Sequence, residues 1–278
     1  MFQVEEIQSF DLPELRPYRT MRRQHEQREQ GIFVAEGEKV VRRLLESQFF
    51  VFSMLMPRKW LADLDPLLQA RPENIRVFVA EKELLETLTG FSMYQGLLAV
   101  GKSPKPPTLE EILERSPAPR LLAAVDGISN AENLGALVRN CVAFNVQALI
   151  VGETSSSPFL RRAVRSSMGT IFQLPALETA SLAADLRRLR AHGIRCVAAH
   201  PRESSLKLWQ ANLATDCCVV FGSEGPGISE QVLAGCDEAV TIPMPRGFDS
   251  LNVGAAAAVV LYEANRQRET SERRSVKA

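Results

Sequence analysis

The chain of 278 residues is poor in metal-binding groups. Its three histidines, His25, His192 and His200, lie far apart, and its five cysteines, Cys141, Cys196, Cys217, Cys218 and Cys236, contain no C-x-x-C pair. No zinc or catalytic metal spacing is present, so no metal is expected, and the thiols read as buried and structural. The residues from Met1 to Glu6 lack the basic start and apolar run of a signal peptide, and the longest apolar stretches, Phe49 to Met56 and Gly254 to Leu261, are far too short to span a bilayer. We therefore read the chain as cytoplasmic, with no membrane partner. An excess of charge is also missing: 33 basic and 33 acidic residues give a formal net charge of +0, so the basic signature of phosphate binding is absent from the total. It is present locally. Arg16, Arg19, Arg22, Arg23 and Arg28 crowd a polar stretch, Arg161, Arg162 and Arg165 form a second group, and Arg266, Arg268, Arg273 and Arg274 a third.

With 45% apolar and 24% charged residues, the chain has the composition of a globular protein of one large domain or two ordinary ones. From Phe33 to Lys102 the pattern alternates. Helices are expected at Glu38 to Ser47, Leu61 to Ala70 and Glu81 to Leu88, and strands at Phe50 to Met56, Ile75 to Ala80 and Leu97 to Gly101. The prolines from Ser103 to Thr108 and from Ser116 to Pro119 then predict a semi-rigid linker with a short helix inside it. The expected division is residues 1–105, a linker at 106–119, and a second domain at 120–278. Beyond Arg120, strands are expected at Leu121 to Val125, Ala148 to Val151, Ile194 to Ala199, Cys217 to Phe221 and Ala239 to Ile242, with helices between them. This is an α/β chain with a mostly parallel sheet covered on both faces, and its ligands should sit at the carboxyl ends of the strands. The charged tail after Gln267 reads as frayed or disordered.

Three loops after these strands carry the chemical signal. The first runs from Asp126 to Arg139, with Asn133 where an N-cap would stand and Arg139 one turn beyond Gly135, free to lean back toward the helix start. The second, Phe221 to Ser229, is glycine-rich and carries one carboxylate, Glu224, with Ser229 opening a helix. It is neither a P-loop nor a dinucleotide fingerprint. In the third, Ile242 to Gly254, two prolines stop the strand and Ser250 is placed to cap the next helix. Small residues from Gly254 to Ala258 allow another backbone to come close.

Taken in order, N-x-G-x-x-x-R at Asn133 to Arg139, G-x-E-x-x-G-I at Gly222 to Ile228, and I-P-M at Ile242 to Met244 followed by S-L-N-V at Ser250 to Val253 resemble the three motifs of the SpoU, or TrmH-like, family of the SPOUT superfamily of RNA methyltransferases. The resemblance covers the chain from Leu121 to Gln267. Phe33 to Gly37 and Tyr94-Gln95-Gly96 are similar to parts of a small substrate-binding domain carried by many members, itself like certain RNA-binding ribosomal proteins. The resemblance implies an S-adenosylmethionine site around Gly222, Ile242, Met244 and Leu251, a deep trefoil knot, a homodimer with active sites at the interface, and structured RNA as partner, with ribosomal RNA favoured and transfer RNA the alternative. The sequence departs from the family pattern at Asn130-Ala131, Asn140-Cys141, Tyr94 and Gly254.

Methyl transfer from a sulfonium to a ribose 2′-hydroxyl needs positioning and removal of one proton, and no metal or electrophile beyond the sulfonium itself. The family resemblance offers Arg139 as the general base, or as a group lying against the hydroxyl and its neighbouring phosphate that stabilises developing alkoxide character; a guanidinium ordinarily stays protonated, which favours the second role. Asn133, Glu224, Ser250 and Asn252 are read as holding the arginine, ribose and cofactor in register. Two rival readings are an RNA-binding or ribosome-assembly factor without catalysis and a nucleotide-dependent oxidoreductase. The second of these lacks its glycine fingerprint.

Overall fold

The computed structural model describes residues 2–89, 96–201, 205–245 and 250–275. The chain forms two compact units, one of Met1–Lys105 with Phe159–Gln173 and the other of Pro106–Pro158 with Leu174–Ala278.

The first unit holds strands β1 (Phe2–Glu6), β2 (Ile32–Glu36), β3 (Val51–Met56), β4 (Ile75–Val79) and β5 (Leu98–Lys102), and helices α1 (Arg16–Arg19), α2 (Gln24–Glu29), α3 (Glu38–Glu46), α4 (Lys59–Gln69) and α5 (Lys82–Thr89). The sheet order is β1-β4-β3-β5-β2, with β1, β4 and β3 parallel and β5 antiparallel to both its neighbours. The expected strands and helices of this region lie within a few residues of those found, while β1 and β2 were not anticipated. β1 is a half-exposed edge strand with charged residues at its end, and β2 is a short run between Gly31 and Gly37 with no alternation to mark it. Tyr94 lies outside the described residues.

Phe159–Gln173 joins this unit although the sequence places it in the second domain. Phe33, Phe49, Phe159 and Phe172 stack with ring centroids 5.3–5.9 Å apart. Arg161 pairs with Glu36, both largely buried, and Arg43 donates to the carbonyl of Met168 at 2.7 Å. Phe33 is fully buried at the centre of the ring cluster, and Phe33→Ala is expected to destabilise the unit by about 3–5 kcal/mol. A urea midpoint unchanged in that variant would contradict this packing.

The second unit holds α6 (Leu109–Arg115), β6 (Leu121–Asp126), α7 (Ala131–Ala143), β7 (Ala148–Val151), β8 (Ala176–Glu178), α9 (Leu182–Ala191), β9 (Arg195–Ala199), β10 (Leu206–Lys207), β11 (Cys217–Gly222), α10 (Glu230–Leu233), β12 (Glu238–Thr241) and α11 (Val253–Ser275); α8 (Arg161–Ser166) belongs to the first. All seven strands are parallel, in the order β10-β12-β9-β11-β6-β7-β8. β8 and β10 are too short to have stood out in the sequence. The expected linker differs from what is found: α6 is fixed by a capping box between Thr108 and Glu111, and its Leu109 and Ile112 enter the core with Leu122, Ile150 and Leu186. The tail is also ordered differently from the expectation, because α11 continues to Ser275. Arg268, counted above with a basic group, instead donates to the carbonyls of Pro119, Arg120, Leu213 and Thr215 at 2.6–3.0 Å.

From β6 the chain proceeds outward to β7 and β8, whereas from β11, the strand beside β6, it proceeds to β12 on the opposite side. The carboxyl ends of β6 and β11 therefore form a topological switch point, where connections diverge and leave a crevice. No helix among the described residues is long and apolar enough to cross a membrane.

The cysteines sit in or against this core, four of them buried. Burial pushes the Cys196 and Cys236 thiols up to about 12, and those of Cys141, Cys217 and Cys218 upward as well. Unfolded thiols ionise above about pH 8.5 while these stay protonated. The contribution of Cys196 and Cys236 is therefore intact below that pH and is lost as pH rises toward about 12, each at a limiting slope of about 1.4 kcal/mol per pH unit. The urea midpoint is expected to fall steadily from pH 8.5 to 10, and a flat midpoint would contradict the burial.

Candidate active site

Three loops meet at the switch point. After β6, Gly127 turns the chain with φ +68, and α7 begins. Its N-cap is Asn130, whose side chain accepts from the backbone N–H groups of Glu132 and Asn133 at 2.9 and 3.4 Å. The cap is thus three residues earlier than expected, and Asn133 stands in the first turn with its amide free to reach outward. After β11, the loop from Ser223 closes on itself through Ser223 N–H to the Gly227 carbonyl at 3.1 Å. Ser229 stands at the N-cap of α10 but its hydroxyl makes no capping bond; its backbone N–H donates to the buried Asp126 carboxylate at 2.7 Å. Asp126, at the end of β6, also receives the Thr154 hydroxyl at 3.4 Å and so ties the second loop to the first.

The third loop ends at Asn252. Its carbonyl accepts the first helical bond, from Ala256 N–H at 2.9 Å, and its side-chain oxygen accepts from Gly254 N–H at 2.9 Å. Asn252 therefore caps α11 in place of Ser250. Residues 246–249 of this loop lie outside the described residues.

Side chains from the three motifs bond to one another. Asn133 Nδ2 donates to Glu224 Oε2 at 2.7 Å, Asn252 Nδ2 donates to Glu224 Oε1 at 2.5 Å, and the same Asn252 amide reaches Asn133 Oδ1 at 3.2 Å. Both carboxylate oxygens of Glu224 are thereby engaged by neutral amides, which fixes its orientation without neutralising its charge.

Beside this network is a cleft of about 330 Å³. Gly222, Glu224, Ile242, Met244, Ser250 and Leu251 line it, all of them singled out in the sequence. So do His200, Val253, Ala256 and Val260, none of which was assigned to the site. His200 was seen only as an isolated histidine; its place at the carboxyl end of β9 is the signal that could have found it. Its imidazole lies against Gly227, where an added Cβ would come within 3.2 Å of it. A second recess shares the Glu224 loop as a wall and is lined also by Ser129, Asn130 and Asn133 from the first loop. Arg139 is not brought into either lining. It is exposed on α7 and makes no hydrogen bond or ion pair among the described residues.

The cleft offers apolar walls, backbone groups of a glycine-rich turn and one carboxylate at its rim. These fit a ligand with a flat apolar part and a cationic end. Among the described residues, no group of three or more His, Cys, Asp or Glu could hold a metal ion.

Residues 120–262 match the model of the SpoU rRNA Methylase family. The chain is 32% identical over 201 residues to the 23S rRNA (guanosine-2′-O-)-methyltransferase of Neisseria meningitidis, covering 72% of this chain and 80% of that one. Among solved structures, an RNA 2′-O ribose methyltransferase superposes with a TM-score of 0.79 at 27% identity, covering 95% of this chain and 100% of the other. The S-adenosylmethionine-bound rRNA methyltransferase of Sinorhizobium meliloti shares the fold, with a TM-score of 0.81 at 22% identity over 95% and 98% of the two chains. By the family match and by its identity to this relative, the chain belongs to the SpoU rRNA methylase family.

Proposed function

We propose that this protein transfers a methyl group from S-adenosylmethionine to a ribose 2′-hydroxyl of structured RNA, with ribosomal RNA as the substrate. The observation that carries this reading is the convergence of Asn133, Glu224 and Asn252, one from each motif, beside a cleft lined by Gly222, Ile242, Met244 and Leu251. S-adenosylmethionine bound in this cleft supplies an electrophilic methyl group. Backbone groups of Gly222, Ile242, Met244 and Leu251 hold the adenosine part, with Glu224 near the cationic end. Asn133 and Asn252 keep the Glu224 carboxylate turned to the boundary between cleft and recess. Ser250 steadies the ribose, and the exposed Arg139 guanidinium meets the phosphate and stabilises negative charge as the hydroxyl gives up its proton to solvent.

The family resemblance further supports a C-terminal segment passed through a preceding loop as a trefoil knot, a first unit that grips RNA, work in the cytoplasm, and a homodimer. For the dimer, α11 leaves Val259 and Tyr262 exposed at 41% and 57%, with Tyr262 edge-on to Phe144 at 6.2 Å. A second copy covering this face would stand over the helix whose cap is Asn252. Tyr262→Glu is expected to raise the dimer dissociation constant by about 30-fold or more, as loss of a buried aromatic anchor does. Sedimentation velocity across concentrations checks this, and an unchanged association would remove Tyr262 from the interface.

To test the substrate, the protein is incubated with methyl-labelled S-adenosylmethionine and, separately, unmodified ribosomal and transfer RNA. Label in ribosomal RNA alone is expected. Label in transfer RNA alone would transfer the assignment there, and label in neither, with no cofactor binding, would favour a non-catalytic RNA-binding factor.

A further inference from the structure

We infer that Asn140 is a positioning residue for the cofactor cleft, acting through the backbone of Gly254. The inference rests on the reading of that cleft as the S-adenosylmethionine site and adds the part that sets its shape. Asn133 and Asn140 are seven residues apart on α7, two turns along one face. Asn133 meets the N-cap of α11 through Asn252. Asn140 Nδ2 donates to the carbonyl of Gly254, in the first turn of the same helix, at 2.6 Å. Between the two asparagines lies Ala136, and a Cβ added to Gly254 would come within 3.1 Å of the Ala136 Cβ and 3.1 Å of Asn252 Oδ1. The first turn of α11 thus rests on α7 with backbone against a methyl group, gripped on either side.

The contact between Gly254 and Ala136 is smooth, and a small-residue seam alone lets one helix slide or turn on the other. A hydrogen bond from a half-buried amide to one particular carbonyl does not. That bond fixes the rotation of α11, and the rotation matters twice. Val253, Ala256 and Val260 present one side of the helix to the cleft, while Asn252, two residues before Gly254 and bonded to its N–H, holds Glu224. Turning the helix therefore alters the cleft wall and the Glu224 contact together.

The test is a double-mutant cycle on S-adenosylmethionine affinity, measured by calorimetry on the full chain. Asn140→Asp keeps the side-chain shape and removes the N–H donor. Loss of that one bond is expected to weaken binding about 3- to 10-fold. Asn252→Ala weakens it too, and the double variant is no weaker than the weaker single one, because both act on one helix turn. Thermal midpoints are recorded in parallel to separate this from general loosening. Should Asn140→Asp fail to fold, Asn140→Ser, which removes the amide without adding charge, takes its place in the cycle. Wild-type affinity in the Asn140 variant, or losses that multiply in the double variant, would overturn the positioning role. Absence of binding by the wild-type chain would instead overturn the cleft assignment, and this inference with it.

Discussion

Arg139→Ala is expected to lower methyl transfer about 100- to 1000-fold while leaving S-adenosylmethionine affinity within about twofold of wild type, the loss typical of removing one donor that meets charge developing in a transition state. The separation follows from where the residue stands. Arg139 is exposed on α7, six residues beyond Asn133, and does not line the cleft. Its guanidinium has no intramolecular partner among the described residues, so removing it leaves no buried group unpaired, and stability should change by no more than about 0.5 kcal/mol. Arg139→Lys is expected to recover little of the rate, because a point charge does not reproduce the planar fork that can meet a phosphate and a hydroxyl together. Single-turnover rates with saturating cofactor and RNA check both variants. Wild-type turnover in Arg139→Lys would mean that charge alone is required, and wild-type turnover in Arg139→Ala would remove the residue from the reaction.

The second large effect is expected at Gly222. An ideal Cβ built there would stand 2.3 Å from the Gly227 carbonyl carbon, 2.4 Å from Ile228 N and 2.6 Å from the Gly227 oxygen. All three are backbone atoms, held by the Ser223 to Gly227 bond on one side and by the Ser229 to Asp126 bond on the other. No side chain can swing aside to make room. The loop must move as a whole, carrying Glu224 with it, and the Asn133 and Asn252 contacts must break or stretch. Gly222→Ala is expected to cost about 1–3 kcal/mol in stability and about 10- to 100-fold in S-adenosylmethionine affinity. Gly225 is the control: among the described residues nothing stands within 4 Å of its added Cβ, so Gly225→Ala should unfold at the wild-type urea concentration. A Gly222→Ala protein that binds cofactor normally would show that the loop is not the cleft wall.

The strand-end loops could be read in the sequence because their signals are local. Glycines in Gly222 to Gly227, prolines after Ile242 and polar residues before apolar helical faces each act over a few positions. The cap assignments were the weaker part for the same reason, since Asn130 and Asn133, or Ser250 and Asn252, are equally good caps by residue type. What decided between them was tertiary: Asn133 and Asn252 are both drawn to Glu224, from positions 91 and 28 residues away. Long-range packing was not legible at all. Phe159 and Phe172 join Phe33 and Phe49 across more than a hundred residues, and Leu109 and Ile112, expected in a linker, enter the core of the second unit. Nor did arginine content distinguish surface from structure. Arg161 pairs with Glu36, Arg23 with Glu26, and Arg268 collects carbonyls, whereas Arg139 stands outside every arginine cluster.

The identity of the methylated atom tests the central claim most directly. RNA labelled by the wild-type protein with methyl-labelled S-adenosylmethionine is digested to nucleosides, and the labelled product is identified by chromatography and mass spectrometry. A 2′-O-methyl nucleoside is expected, its methyl group remaining with the ribose when the base is released. Label that leaves with the base would contradict the account, because the site would then be acting on a base nitrogen or carbon, and the roles given to Arg139 and Ser250 would have no ribose to meet.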